Sequence, residues 1–252
     1  MTRKVAIITG GSRGLGANAA LKLAAARNTD LIITYKQDST SANAVVAQAV
    51  DLGAKAVALQ LDAGSTAGIP AFTEQVKDTM TQWGADRFDI LVNNAGMGIH
   101  AAFADVTEEQ FDALMNVQFK SVFFLTQALV PLMNDGGRIL NVSSGLARFA
   151  LPGYSAYASM KGAIEVLTKY LAKELGVRGI SVNVLAPGAI ETDFGGGRVR
   201  DDKQINAFIA SQTALGRVGL PDDIGDLIAT LVSDDCRWVT GQRIEASGGM
   251  FI

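Results

Sequence analysis

Short runs of Val, Ile and Leu recur along the 252-residue chain without polar interruption, each followed by a longer segment of helical spacing. A strand with one wet face alternates apolar and polar residues, whereas a run that is apolar throughout is covered on both sides. Residues 5–9, 31–35, 56–60, 89–93, 138–142 and 181–185 read this way, with a short run near Arg243. Helical spacing fills 15–26, 41–52, 69–83, 108–133, 155–175 and 221–231. Strands and helices alternating from end to end predict a parallel sheet between two helical layers. They leave no room for a linker, so residues 1–252 are expected to form one domain.

Several function classes are excluded. The net charge of -3 includes no basic block, so no nucleic-acid partner is expected. No run approaches the roughly 18 apolar residues that a bilayer demands, and no membrane partner is expected. The N-terminal "MTRKVAIITGG" lacks the apolar core of a secretory leader, which predicts a cytosolic protein. Cys236 has no second cysteine to pair with, and the only histidine, His100, lies far from it in sequence. Neither a catalytic thiol nor a metal site is expected.

The loop "TGGSRGLG" follows the first strand directly and opens a helix. Gly10, Gly14 and Gly16 then leave bare backbone where a pyrophosphate can approach a helix N-terminus, with Ser12, Arg13 and Leu15 between them. The spacing is Gly-x-x-x-Gly-x-Gly rather than the commoner Gly-x-Gly-x-x-Gly. Further along, "NNAG" from Asn93 to Gly96 ends the fourth strand, Tyr157 and Lys161 form Tyr-x-x-x-Lys, and "NVLAPGAIET" runs from Asn183 to Thr192.

These four motifs, in this order and across nearly the whole chain, resemble the classical short-chain dehydrogenases/reductases, including 3-oxoacyl and carbonyl reductases. The resemblance implies a single-domain α/β fold of Rossmann type, a doubly wound parallel sheet of about seven strands with helices on both faces. It implies an NAD(P)-dependent oxidoreductase that moves a hydride between a nicotinamide and a carbonyl or secondary alcohol, with reduction the expected direction. Asn93, Ala95 and Gly96, Ala63 beside Asp62, and Pro187 with Gly188 are then expected to line the coenzyme site. Asp62 resembles the family's adenine contact, and Ile190 and Thr192 resemble contacts at the carboxamide end. Residues at about 189–215, with three successive glycines, correspond to the mobile substrate lid.

Four positions along a helix bring Tyr157 and Lys161 to one face, and a nearby ammonium favours the phenolate. Tyr157 is therefore expected to have a lowered pKa and to act as the general acid/base. Tyr154 has Ala158 at that spacing, so it is either a wall of the substrate pocket or core. The resemblance selects Ser144 over Ser143 as the hydroxyl that polarises the carbonyl. It adds Asn116 as a helix-kinking amide that relays protons through a water to Lys161, and it gives Lys161 a contact to the nicotinamide ribose. Met97, Ile99, Leu146, Phe149, Tyr154 and Phe194 are expected around a small or medium apolar substrate. A 3-oxoacyl thioester reductase is the alternative, and a catalytically dead NADP(H)-binding protein a third reading.

An NAD enzyme usually carries an acid at the end of the second strand to take the ribose 2′-hydroxyl. Here Tyr35 and Lys36 stand there, and Asp38 is the nearest rival acid. Lys36 and Arg13 are expected to converge on a 2′-phosphate with no carboxylate beside them, favouring NADP(H) over NAD(H). The apolar 107–133 segment is longer than one sheet-covering helix needs, and the resemblance implies that it pairs, with the helix of Tyr157, across a two-fold interface in a homo-oligomer, a tetramer or dimer.

Overall fold

The computed structural model describes residues 3–26 and 28–252. Seven strands form one parallel sheet in the order β3-β2-β1-β4-β5-β6-β7. They are β1 Lys4–Ile8, β2 Thr29–Tyr35, β3 Ala56–Gln60, β4 Phe88–Asn93, β5 Met133–Val142, β6 Ser181–Pro187 and β7 Arg243–Ala246. The order reverses between β1 and β4, and a doubly wound sheet opens a crevice at the carboxyl ends of its strands there.

The double burial expected of the strands is visible residue by residue. Ala6 and Ile8 of β1, with Leu31 and Ile33 of β2, face α1 (Gly14–Ala26), α2 (Ser39–Asp51) and the chain's last helix, Pro221–Leu231. Val5, Ile7 and Ile32 point the other way, onto Phe72, Val76 and Met80 of α3 (Ile69–Trp83) and onto Leu125 and Leu129. Alternate residues of one strand thus feed two cores, so neither face tolerates polar substitution.

The 108–133 segment is not the single helix its spacing predicts. It divides into α4 (Glu108–Met115), a π-helical turn (Asn116–Lys120) and α5 (Ser121–Leu129), and β5 begins at Met133 rather than 138. The one buried side chain of the turn is the polar Gln118, so no fully buried apolar residue marks it in the sequence. Glu108–Leu132 is also long and apolar enough to cross a membrane, contrary to the sequence expectation. Here Leu114, Val122, Leu125 and Leu129 are buried within the domain.

Helix α6 (Ser155–Leu175) descends beside β5 and β6. Beyond β6, the expected lid carries a turn at Phe194–Gly197, then α7 (Arg198–Asp201) and α8 (Lys203–Ser211). Gly195, Gly196 and Gly197 all have positive φ, which explains the glycine run. The last helix, α9, is Pro221–Leu231.

Candidate active site

A cleft of about 760 Å³ runs over the carboxyl ends of the strands. Its first half is built by the glycine loop. Gly10 has φ +64°, and a Cβ there would sit 2.9 Å from Ala95 Cα, so only glycine allows the two loops to meet. Asn94 fastens them, its Nδ2 donating to the carbonyls of Thr9 at 2.9 Å and Gly10 at 3.0 Å. The Thr9 hydroxyl accepts from the amides of Asn94 and Ala95, and the Thr34 hydroxyl accepts from Gly10 N. Helix α1 starts at Gly14 with no acidic residue in its first turn, so its positive end faces the cleft unopposed.

Gly10, Ser12, Arg13, Gly14, Leu15, Tyr35, Lys36, Asp62, Ala63, Ala95 and Gly96 line this half. Two expected contacts lie elsewhere. Asn93 is buried behind the cleft, donating to Thr126 Oγ1 at 3.0 Å and Asn141 Oδ1 at 2.8 Å. Its neighbour Asn94 lines the cleft instead, because successive residues at a strand end face opposite sides. Gly16 is also buried beneath the loop, where a Cβ would collide with the Gly10 carbonyl and the Asn94 amide. Gly16→Ala is therefore expected to cost about 1–3 kcal/mol in denaturant unfolding, through overpacking at this junction.

The second half gathers the reactive side chains. Ser144, two residues beyond β5, is extended (φ −159°) and caps the Gly145–Ala147 turn, its Oγ accepting from Leu146 N at 3.2 Å. Tyr157 and Lys161 project from one face of α6, with Lys161 Nζ 5.6 Å from the Tyr157 ring centre. That amine donates to Val142 O at 2.8 Å, tying α6 to the end of β5. Pro187, Gly188, Ile190 and Thr192 close the far wall. Asn116 opens the π-helical turn and does not line the cleft, although the next residue, Val117, does. Gln118 on that turn is buried and donates to the Met97 carbonyl, a support that sequence reasoning missed.

The expected lowering of the Tyr157 pKa is reversed. Burial raises it above the ordinary phenol value, and the opposing hydrogen bond from Ser144 is the smaller effect. Burial also pushes Lys161 down to about 7, so near neutrality its charge on the phenol is partial. Between pH 7 and the ordinary lysine value of 10.5, the unfolded chain holds a Lys161 proton that the folded one lacks. Stability of the coenzyme-free protein should therefore rise with pH from 7 toward 10, and then fall as the unfolded chain loses its tyrosine proton. Melting temperatures across that range test this: Lys161→Met should flatten the rise.

Met97, Leu146, Phe149, Tyr154 and Phe194 line the remaining space, with His100 edge-on to Tyr154. Ile99 does not; it packs behind, in the cluster of Leu114, Tyr157 and Met160. Among the described residues no cluster suited to a metal ion occurs.

The family model described as enoyl-(acyl carrier protein) reductase matches residues 10–251. The chain is 38% identical over 247 residues to an uncharacterised oxidoreductase of Methylorubrum extorquens, across 98% of this chain and 97% of that one. It is 35% identical over 257 residues to a tetrahydroxynaphthalene reductase of Pestalotiopsis fici, across 98% and 91%. A solved structure, the angucycline C-6 ketoreductase LanV with bound NADP, superposes with a TM-score of 0.93 at 35% identity, across 98% of this chain and 95% of that one. The chain belongs to the short-chain dehydrogenase/reductase family and is an oxidoreductase.

Proposed function

We propose that the protein reduces an apolar, ring-bearing ketone to its secondary alcohol with NADPH as reductant. The observation that carries this is the position of Ser144, Tyr157 and Lys161 where the glycine-loop half of the cleft meets its apolar, aromatic half. The bare backbone at Gly10, the open N-terminus of α1 and the cations Arg13 and Lys36 fit a phosphorylated dinucleotide. When bound, the reduced nicotinamide supplies a hydride to the carbonyl carbon.

The chain's own groups supply the rest. The Ser144 hydroxyl donates to the carbonyl oxygen and stabilises the negative charge that develops on it. Tyr157 gives that oxygen its proton, and burial keeps the phenol protonated in the resting site, which suits reduction. Lys161 holds the nicotinamide ribose, and Asn116 supports the proton path to it. Both named reductases among the similar proteins act on ring systems by their names, in keeping with the aromatic wall of Phe149, Tyr154 and Phe194.

A second reading, reduction of 3-oxoacyl thioesters, shares the acyl-carrier substrate class named in the description of the matching family model, although that description names an enoyl rather than an oxo group. A panel of 2-tetralone, acetoacetyl-CoA, simple aldehydes and sugars, assayed with both coenzymes, separates the two. The ring reading expects 2-tetralone to be turned over most efficiently; a higher kcat/KM for acetoacetyl-CoA would select the thioester reading.

Phe111, Phe123 and Phe124 of α4 and α5, with Val166 and Tyr170 of α6, are exposed apolar side chains that a second copy would cover. A homo-oligomer is therefore expected by light scattering at micromolar concentration. A mass near the 26.4 kDa of one chain would contradict it.

A further inference from the structure

Between the serine turn and the C-terminus lies a group of ions that the reduction chemistry does not use. Arg148 ends the turn that begins at Ser144. Its guanidinium grips Glu245 of β7 with two bonds, Nε to Oε2 at 2.7 Å and Nη2 to Oε1 at 2.6 Å. The same fork reaches the carbonyls of Met250 at 2.8 Å and Phe251 at 3.1 Å. Glu245 also accepts from Arg243 Nη1 at 2.7 Å and from the Ser247 hydroxyl at 2.8 Å. Arg243 then turns inward, its Nε donating to Glu165 Oε1 at 2.7 Å and its Nη2 to the Ser144 carbonyl at 3.4 Å. Glu165, one helical turn beyond Lys161, accepts from the Ser143 hydroxyl at 2.8 Å.

The side chains of Glu165, Arg243 and Glu245 are only 18–22% exposed, so solvent screens them less than surface pairs. A bidentate fork also fixes orientation, which a single ammonium cannot do. One end of this chain of ions therefore holds the backbone directly behind Ser144. The other end holds a C-terminal turn that the substrate half of the cleft depends on. Met250 lines that half and is buried with Ile209 and Val218. Gly248 and Gly249, both at positive φ, turn their carbonyls to the amides of Leu215 and Ala214 at the end of the 189–215 segment.

We propose that Arg148, Glu245, Arg243 and Glu165 form a positioning network that locks the turn of Ser144 to the C-terminal turn, so that the serine and the substrate wall keep one fixed geometry. None of the four lines the cleft. Ser247 belongs to the same device, since its hydroxyl bridges Glu245 and the Met250 amide. The proposal rests on reading Ser144 as the hydroxyl that polarises the carbonyl.

Amide hydrogen exchange of the coenzyme-free protein and steady-state kinetics with 2-tetralone and NADPH together test it. Arg148→Ala should speed exchange at residues 146–149 and, at a distance, at 213–215 and Phe251. It should raise KM for the ketone about tenfold and leave KM for NADPH within about twofold. Glu165→Gln, which removes a charge but little volume, should lower kcat about tenfold with a smaller change in the ketone KM. If Arg148→Ala fails to fold, Arg148→Lys carries the test, with the same pattern at lower amplitude. Faster exchange confined to the serine turn, or kinetic constants unchanged in folded variants, would overturn the network. A wild-type protein inactive on every ketone would overturn the proposed function instead, and the exchange measurement would still decide on the network.

Discussion

Replacing Tyr157 by phenylalanine is expected to abolish turnover while leaving NADPH affinity within several-fold of wild type. The phenol stands at the meeting point of the two cleft halves, 7% exposed, and its ring stays packed against Phe194 at 6.0 Å when only the hydroxyl is lost. A positioned general acid contributes about 10²–10⁴-fold, so kcat should fall at least that far. Lys161→Ala should damage both turnover and coenzyme binding, because that amine also ties α6 to the Val142 carbonyl. A Tyr157→Phe protein that kept about a tenth or more of wild-type activity would mean that another group delivers the proton.

Coenzyme choice should follow the two cations. NADPH is expected to exceed NADH at least about tenfold in catalytic efficiency, about 1.4 kcal/mol, with Arg13→Ala or Lys36→Ala eroding the ratio. The cations are not free of carboxylates, as the sequence led one to expect. Lys36 Nζ lies 3.0 Å from Asp62 Oδ1, and Asp38 feels the charge of Arg13, although its stronger bonds go to Ser41 as the cap of α2. A 2′-phosphate must therefore compete with Asp62 for Lys36. Half of the Lys36 side chain is exposed, so the exchange of partners costs little. Equal efficiencies, or a preference for NADH, would assign the choice to Asp38 or to backbone groups.

The strands, the glycine loop and the Tyr157–Lys161 pair were legible because each is a local pattern: an apolar run, a run of bare backbone, one helical turn. What was not legible depends on contacts between distant segments. Asn93 and Asn94 are adjacent and chemically identical, and only the sheet decides that the first bonds Thr126 and Asn141 while the second bonds Thr9 and Gly10. Thr9 and Thr34 read as ordinary strand residues, yet their hydroxyls hold the loop amides. The π-helical turn at Asn116 buries only the polar Gln118, so no fully buried apolar residue marks it. The sign of the Tyr157 shift is not legible either, because spacing reveals a neighbouring charge but not the burial that outweighs the other effects. The Lys36–Asp62 pair joins the ends of two strands 26 residues apart, beyond any local pattern.

The central claim, that this cleft moves a hydride to a ketone, is tested most directly with NADPH carrying deuterium at the transferable position of its nicotinamide. Incubated with 2-tetralone and the wild-type protein, it should yield an alcohol deuterated at the carbon that bears the new hydroxyl, with coenzyme and ketone consumed in equal amounts. The Tyr157→Phe protein should bind the same coenzyme and form no alcohol above background. Unlabelled alcohol, or saturable NADPH binding with no alcohol from any ketone of the panel, would contradict it.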